Sequence, residues 1–311
     1  MAASPGVDAG SFPAGLIAEM LKGLVENENA LVDDIFTAYE RTTLLAGNIT
    51  IDGSESGLAR GVNQALGAGV DAKEHKGAIG SVAFDCRAYV GKSLLTDEAR
   101  NNFEALDEDA MNRELTIAYR DANTALDRHA WDNVLASTSL NVEADVTALG
   151  NGNAAWDDGG TTSTPILDIR DITQISAPGA DTAILGRKVA NGLMVHPDVV
   201  AELSNFSAGT ESEDGLINWL KVKFGLTYVY IVKKLYNAGA LGTVTPTYIG
   251  DTVAWFGHKA DLINVHPGSS VQDTAETFRL TSRSMLTQVS RYDDPIRPTQ
   301  TLGAIATNVT T

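Results

Sequence analysis

The side chains able to do chemistry in this 311-residue sequence are few and far apart. Its five histidines, His75, His129, His196, His258 and His266, are scattered, and only the last two are near one another. Read as members of one strand, those two would stand about 26 Å apart, too far to share a metal. Paired acids occur at Asp157-Asp158 and Asp293-Asp294, each beside Gly or Pro, where Asp ordinarily bonds its own backbone in a turn. A glycosidase pair would instead need buried carboxyls. The single Cys86 excludes an internal disulfide and a thiolate zinc site. No G-x-S-x-G, H-E-x-x-H, C-x-x-C or phosphate-cradling G-x-x-x-x-G-K-[ST] is present. The residues therefore point away from an enzyme and call for no cofactor or metal.

Charge narrows the partners. Forty acids against 23 bases leave a net charge of −17, which argues against a surface built to grip phosphates or anionic lipid. The one basic cluster, Lys221, Lys223, Lys233 and Lys234, follows the acidic turn GTESEDG and can pair with it, within a subunit or across a contact. The first residues, MAASPGVDAGSFP, lack the basic start and apolar core of a secretion signal, and no run of about 18 apolar residues could span a bilayer. The expectation is a soluble product made inside a cell, with a core that 43% hydrophobic residues can supply.

Few reactive groups need positioning, so the elements themselves carry the meaning. The stretch from Thr96 to Ser137 has neither Pro nor Gly, and Met111, Leu115, Ala118, Ala122, Ala125 or Leu126, and Val134 recur at helical spacing. A helix from Asp107 to Ala136 would be a rod of roughly 45 Å. Ahead of it, Ile17, Met20, Leu21, Leu24, Leu31, Ile35 and Tyr39 predict an amphipathic arm of about 28 residues after Pro13. Residues 47–69 are Gly-rich and aperiodic. Then Val82, Phe84, Cys86, Ala88 and Val90 alternate with polar residues, predicting a strand with that side buried. An extended excursion between two helices has too little sequence to form its own core and must find cover elsewhere.

Beyond the rod the sequence predicts a turn-rich link around Trp156, a helix over Pro165 to Ile175, and a buried strand over Thr182 to Gly186. Two helices parted at His196-Pro197 follow, then a helix from Leu216 to Phe224 closed by Gly225. LTYVYIVKKLY and TYIGDTVAWFGHKADLINV each predict one strand, and a long strand runs from Phe278 to Val289 before Asp293-Asp294-Pro295 turns the chain.

This order of parts resembles the major capsid proteins of tailed bacteriophages, whose Hong Kong 97-type fold encapsulins share. The likeness is carried by YVGKSLLTDEARNN, NRELTIAYRDANTALDRHAWDNVLAS, TAILGRKVANGLMVHPDVVAEL, INWLKVKFGLTYVYIV and YIGDTVAWFG, over about residues 80 to 290. The resemblance implies an α+β chain. Residues 1–46 would be an N-terminal arm, 47–95 the region of the extended E-loop, 96–175 a peripheral domain with the spine helix, 176–271 an axial domain, and 272–311 the peripheral domain's C-terminal strand. It further implies a subunit of an icosahedral head around double-stranded DNA, with an encapsulin-like nanocompartment as the alternative.

Implied partners are further copies in hexamers and pentamers, a portal protein, a decoration protein and DNA held without sequence-specific contacts, with no membrane. The chain has no room for a fused scaffold segment, so a separate scaffolding protein is expected. Assembly would take place in the host cytoplasm and the product would reside in the virion. Candidate contacts between subunits are Lys73, Lys76, Phe84, Arg87, Tyr89, Lys221 and Lys223. Some relatives weld subunits by a Lys-to-Asn isopeptide bond; Lys73 and Lys76 stand near the expected loop tip, but no acceptor motif accompanies them and they read as solvated lysines.

Overall fold

The computed structural model describes residues 30–41, 45–52, 79–98, 110–138, 140–152, 154–158, 162–175, 179–206, 212–238, 245–267, 274–281, 284–297 and 303–310. They divide into two compact units: the described parts of Met1–Leu45, Asp85–Ala130 and Asn264–Pro295, and those of Ala46–Phe84, Trp131–Ile263 and Ile296–Thr311.

The first unit is a helix laid on a sheet. Helix α1 (Leu31–Ile35) is followed by strand β1 (Thr37–Arg41), and the ladder β1-β11-β13-β12 is built with β11 (Ile263–Pro267), β12 (Thr274–Thr281) and β13 (Ser284–Ile296). Strand β4 (Arg87–Thr96) pairs antiparallel with β13, Ser284 opposite Thr96 and Asp293 opposite Arg87. The spine helix α2 (Ala110–Ala130) packs along β4. That packing is close because both surfaces are small. A Cβ on Gly91 would stand 1.7 Å from the Ala118 carbonyl oxygen, and Ala118 and Ala122 are fully buried.

The second unit is an α/β lobe. A five-stranded sheet runs β5-β14-β10-β6-β7, from β5 (Val142–Asp145), β6 (Thr182–Leu185), β7 (Tyr228–Ile231), β10 (Ala254–Gly257) and β14 (Ala304–Thr307). Against it lie α3 (Pro165–Ile175), α4 (Arg187–Val195), α5 (Pro197–Phe206) and α6 (Glu213–Phe224). Trp156, Trp219, Phe256 and Leu185 are among its fully buried side chains. Local chemistry sets the helix ends. Pro197 opens α5, Ser212 accepts the Gly215 N–H at 3.1 Å to cap α6, and Gly225 closes α6 in the left-handed region at φ 70°. Two short ribbons complete the chain, β2 (Ala46–Asp52) with β3 (Ile79–Asp85) and β8 (Leu235–Asn237) with β9 (Pro246–Tyr248).

Several expectations are corrected. The arm's helix does not reach Tyr39, because the chain turns extended at Phe36 and residues 37–41 join a sheet; residues 1–29 lie outside the described residues. Strand 82–90 is two strands broken at Cys86, whose N–H bonds the Leu45 carbonyl at 2.7 Å. The break shifts the alternation, so Tyr89 is buried while Ala88 and Val90 face outward. The strand then continues through Gly91 to Thr96. At Trp131 the spine widens into a π turn, Trp131–Leu135, with the Ala136 N–H reaching the Trp131 carbonyl at 2.7 Å.

The two late strands also divide. LTYVYIVKKLY becomes β7 and β8, and TYIGDTVAWFGHKADLINV becomes β9, β10 and β11, separated by a turn at Gly250 and by the 3-10 turn Lys259–Asp261. His258 and His266 therefore sit on different elements. The strand expected over 278–289 is the hairpin of β12 and β13, and Asp293-Asp294 lies inside β13 rather than in a turn.

Candidate functional site

Among the described residues no three His, Cys, Asp or Glu side chains gather as a metal would require. The lone thiol of Cys86 is buried, and that burial, with Asp294 and Asp293 nearby, pushes its pKa up to about 12. It is a poor nucleophile at neutral pH.

Polar chemistry is concentrated instead in buried clusters that fasten elements together. In the first unit the Arg291 guanidinium donates to Asp293 within β13, to Asn123 on α2 at 3.1 Å, and to both carboxylate oxygens of Asp33 on α1, one of them at 2.9 Å. Asp293 is fully buried and also accepts from Asn264 at 2.7 Å, with the His266 Nδ1 at 3.2 Å. Burial raises the Asp293 pKa, but the bonds from His266 and Arg291 outweigh it and hold the carboxyl below its ordinary range. Burial likewise opposes the charge on Arg291, and Asp33 and Asp293 more than restore it.

In the second unit Asn141 closes the spine. Its amide nitrogen donates to the carbonyls of Val134, Leu135 and Ser137 at 3.1, 3.0 and 2.8 Å, while its oxygen accepts from Trp255 Nε1 at 2.7 Å and from Arg297. A second knot holds the link: Trp156 Nε1 donates to buried Asp168 at 3.0 Å, and Asn151 donates to Asp168 and Asp171 at 3.3 and 2.7 Å. Burial raises the Asp168 pKa against these bonds. The Arg291 cluster pairs its charges internally, whereas among the described residues the Arg297 guanidinium bonds only the Leu140 carbonyl and Asn141 and leaves Nε and one terminal nitrogen buried without a partner.

The expected contact residues fall in different places. Lys73 and Lys76 lie outside the described residues. Phe84 and Tyr89, expected to face a neighbour, are 4% and 8% exposed and bury their rings within the chain, Tyr89 with its ring 5.7 Å from that of His129. Arg87 is exposed. Lys223 pairs with Glu202 at 2.8 Å, and Lys233 with Arg187 converges on Glu213, so part of the basic cluster is neutralised inside the subunit. These two cations hold Glu213 below the ordinary carboxylate range. Lys221 is half-buried on α6.

What the sequence missed is apolar. Val90 and Leu94 on the outward side of β4, Val195 at the end of α4 and Val222 on α6 are 39%, 54%, 70% and 66% exposed. Alternation had placed Val90 inside, and only the break at Cys86 turns it out.

No protein-family model matches this sequence, and no curated protein matches it. Solved structures do. A phage-related protein from Bordetella bronchiseptica RB50 superposes with a TM-score of 0.66 at 13% identity, over 95% of this chain and 97% of that one. A chain of the satellite phage P4 procapsid that includes the size determination (Sid) protein gives 0.53 at 10% identity, over 98% and 94%. The virus-like particle from Pyrococcus furiosus gives 0.52 at 11% identity, over 94% and 97%. Agreement along nearly the whole length, in a chain that holds a spine helix on a β sheet and an α/β lobe, means that this chain has the Hong Kong 97-type capsid fold.

Proposed function

We propose that this chain is a major capsid protein, the subunit that assembles into the icosahedral head of a tailed phage around its double-stranded DNA. The observation carrying this reading is the likeness in fold to the phage-related protein and to the procapsid chain over 95% and 98% of this chain. Shells form because modest contacts are multiplied around closed symmetry. A net charge of −17 suits a container whose genome is confined rather than adsorbed.

In this reading residues 1–46 act as the arm, 47–95 as the E-loop region, 96–175 and 272–311 as the peripheral domain, and 176–271 as the axial domain at five-fold and six-fold centres. Lys73, Lys76, Arg87, Lys221 and Lys223 are the polar contacts it offers to neighbours. A separate scaffolding protein, a portal and a decoration protein complete the particle, which assembles in the host cytoplasm and persists in the virion.

The likeness to a virus-like particle favours one second reading, an encapsulin-like compartment around protein cargo. Contents separate the two. Particles recovered from the native source with nuclease-protected DNA and one portal vertex support the head; nucleic-acid-free shells carrying an enzyme support the compartment and overturn the first reading.

A further inference from the structure

We infer that α1 is a detachable strap: the ion pair between Asp33 and Arg291 fastens this helix to the first unit, and it opens without dissolving the buried cluster beneath it. Five residues make a helix far too short to persist alone, so α1 exists only through what holds it. Its hold has an apolar part, buried Val32 and Ile35, and a polar part. The Val32 N–H donates to the Asp127 carboxylate on α2 at 3.0 Å, and Asp33 takes the fork of Arg291.

The two acids on Arg291 are not equivalent. Asp293 has no exposed surface, lies on the same strand as Arg291, and is tied by Asn264 and His266 as well. The Asp33 side chain keeps 32% of its surface in water, and the helix bearing it is joined to the rest of the unit by a single onward connection through Phe36 to β1. Losing Asp33 leaves Arg291 paired with Asp293 and Asn123, still held as a charge inside the unit. Losing Asp293 leaves the buried cation with Asn123 and the partly exposed Asp33, without the acid on its own strand, a far greater disturbance. The arrangement is thus an inner pair that stays and an outer pair that can let go. This inference does not depend on the capsid reading.

Hydrogen exchange on the full-length, unassembled protein tests it. In Asp33→Asn, exchange of the Val32 to Phe36 amides rises at least roughly fivefold, the loss expected for one charge-assisted fork, while α2 and β13 keep wild-type protection. Raising salt from about 50 mM to about 500 mM in the wild type reproduces a smaller rise confined to the same amides. In Asp293→Asn, α1, β11 and β13 lose protection together, or the chain fails to fold. The inference is overturned if Asp33→Asn loosens β13 and α2 as much as α1, or if neither the substitution nor salt changes α1.

Discussion

At the scale of single residues, side chains that bond across long sequence separations decide how the elements end and meet. Asn141 answers three carbonyls left over where the spine helix widens and stops, and it holds Trp255 and Arg297 besides. Asn141→Leu removes all of these at once and strands buried acceptors, so urea denaturation should show a loss of about 3 kcal/mol or more in the second unit. His196 is 2% exposed, and its Nδ1 accepts the Asp198 N–H at 3.3 Å at the head of α5. That bond needs the neutral ring. Burial lowers the pKa from its ordinary 6.5, with Asp198 opposing. The unfolded chain therefore takes up this proton more readily than the folded one. Its stabilisation is complete above 6.5 and is lost as pH falls through the lower folded value. The urea midpoint should fall with acid over that window, and His196→Asn, which keeps an acceptor at the cap, should flatten the fall.

At the scale of elements, the backbone approach at Gly91 sets the seat of the spine helix. Gly91→Ala drives a methyl into the Ala118 carbonyl oxygen 1.7 Å away, which only a shift of β4 from α2 can relieve. A loss of about 2–3 kcal/mol is expected in thermal or urea unfolding. The same scale shows how far sequence can be read. The boundary between α4 and α5 is legible because His196-Pro197 and a 3.6-residue apolar period mark it locally. Gly225 marks the end of α6 for the same reason. Strand divisions were not legible. Apolar and β-branched residues lie on both sides of the breaks at Cys86, at Val232–Lys234 and at Gly250; at Cys86 the interruption comes with a distant partner, the Leu45 carbonyl, and at Gly250 with a local turn at φ 60°. The Arg291 cluster was hidden for a related reason: its members are up to 258 residues apart, so no spacing announces it. A lone Arg followed by paired acids in an otherwise Thr- and Ser-rich strand was its only local sign.

At the scale of the whole molecule, two properties bear on assembly. One is charge. Copies that each carry −17 repel one another, so association should rise as salt screens them, and light scattering should show faster assembly at about 0.3 M than at about 0.05 M NaCl. The other is apolar surface. Among the described residues Val90, Leu94, Val195 and Val222 lie open, as do Leu45, Val142, Leu167, Tyr228 and Leu235, and in the capsid reading such surface is what neighbouring copies would cover. The fold was legible at this scale in the spine helix and the α/β lobe that follows it; which faces remain open was not, because outward and inward positions on β4 depend on one break in register. The most direct measurement is sedimentation velocity on the expressed full-length chain at high concentration, with negative-stain images of the fastest fraction. A self-assembling shell subunit gives a large, narrow boundary made of closed, uniform particles. A single boundary at the 33 kDa monomer, unchanged by concentration, salt or an added scaffolding protein, would contradict the account.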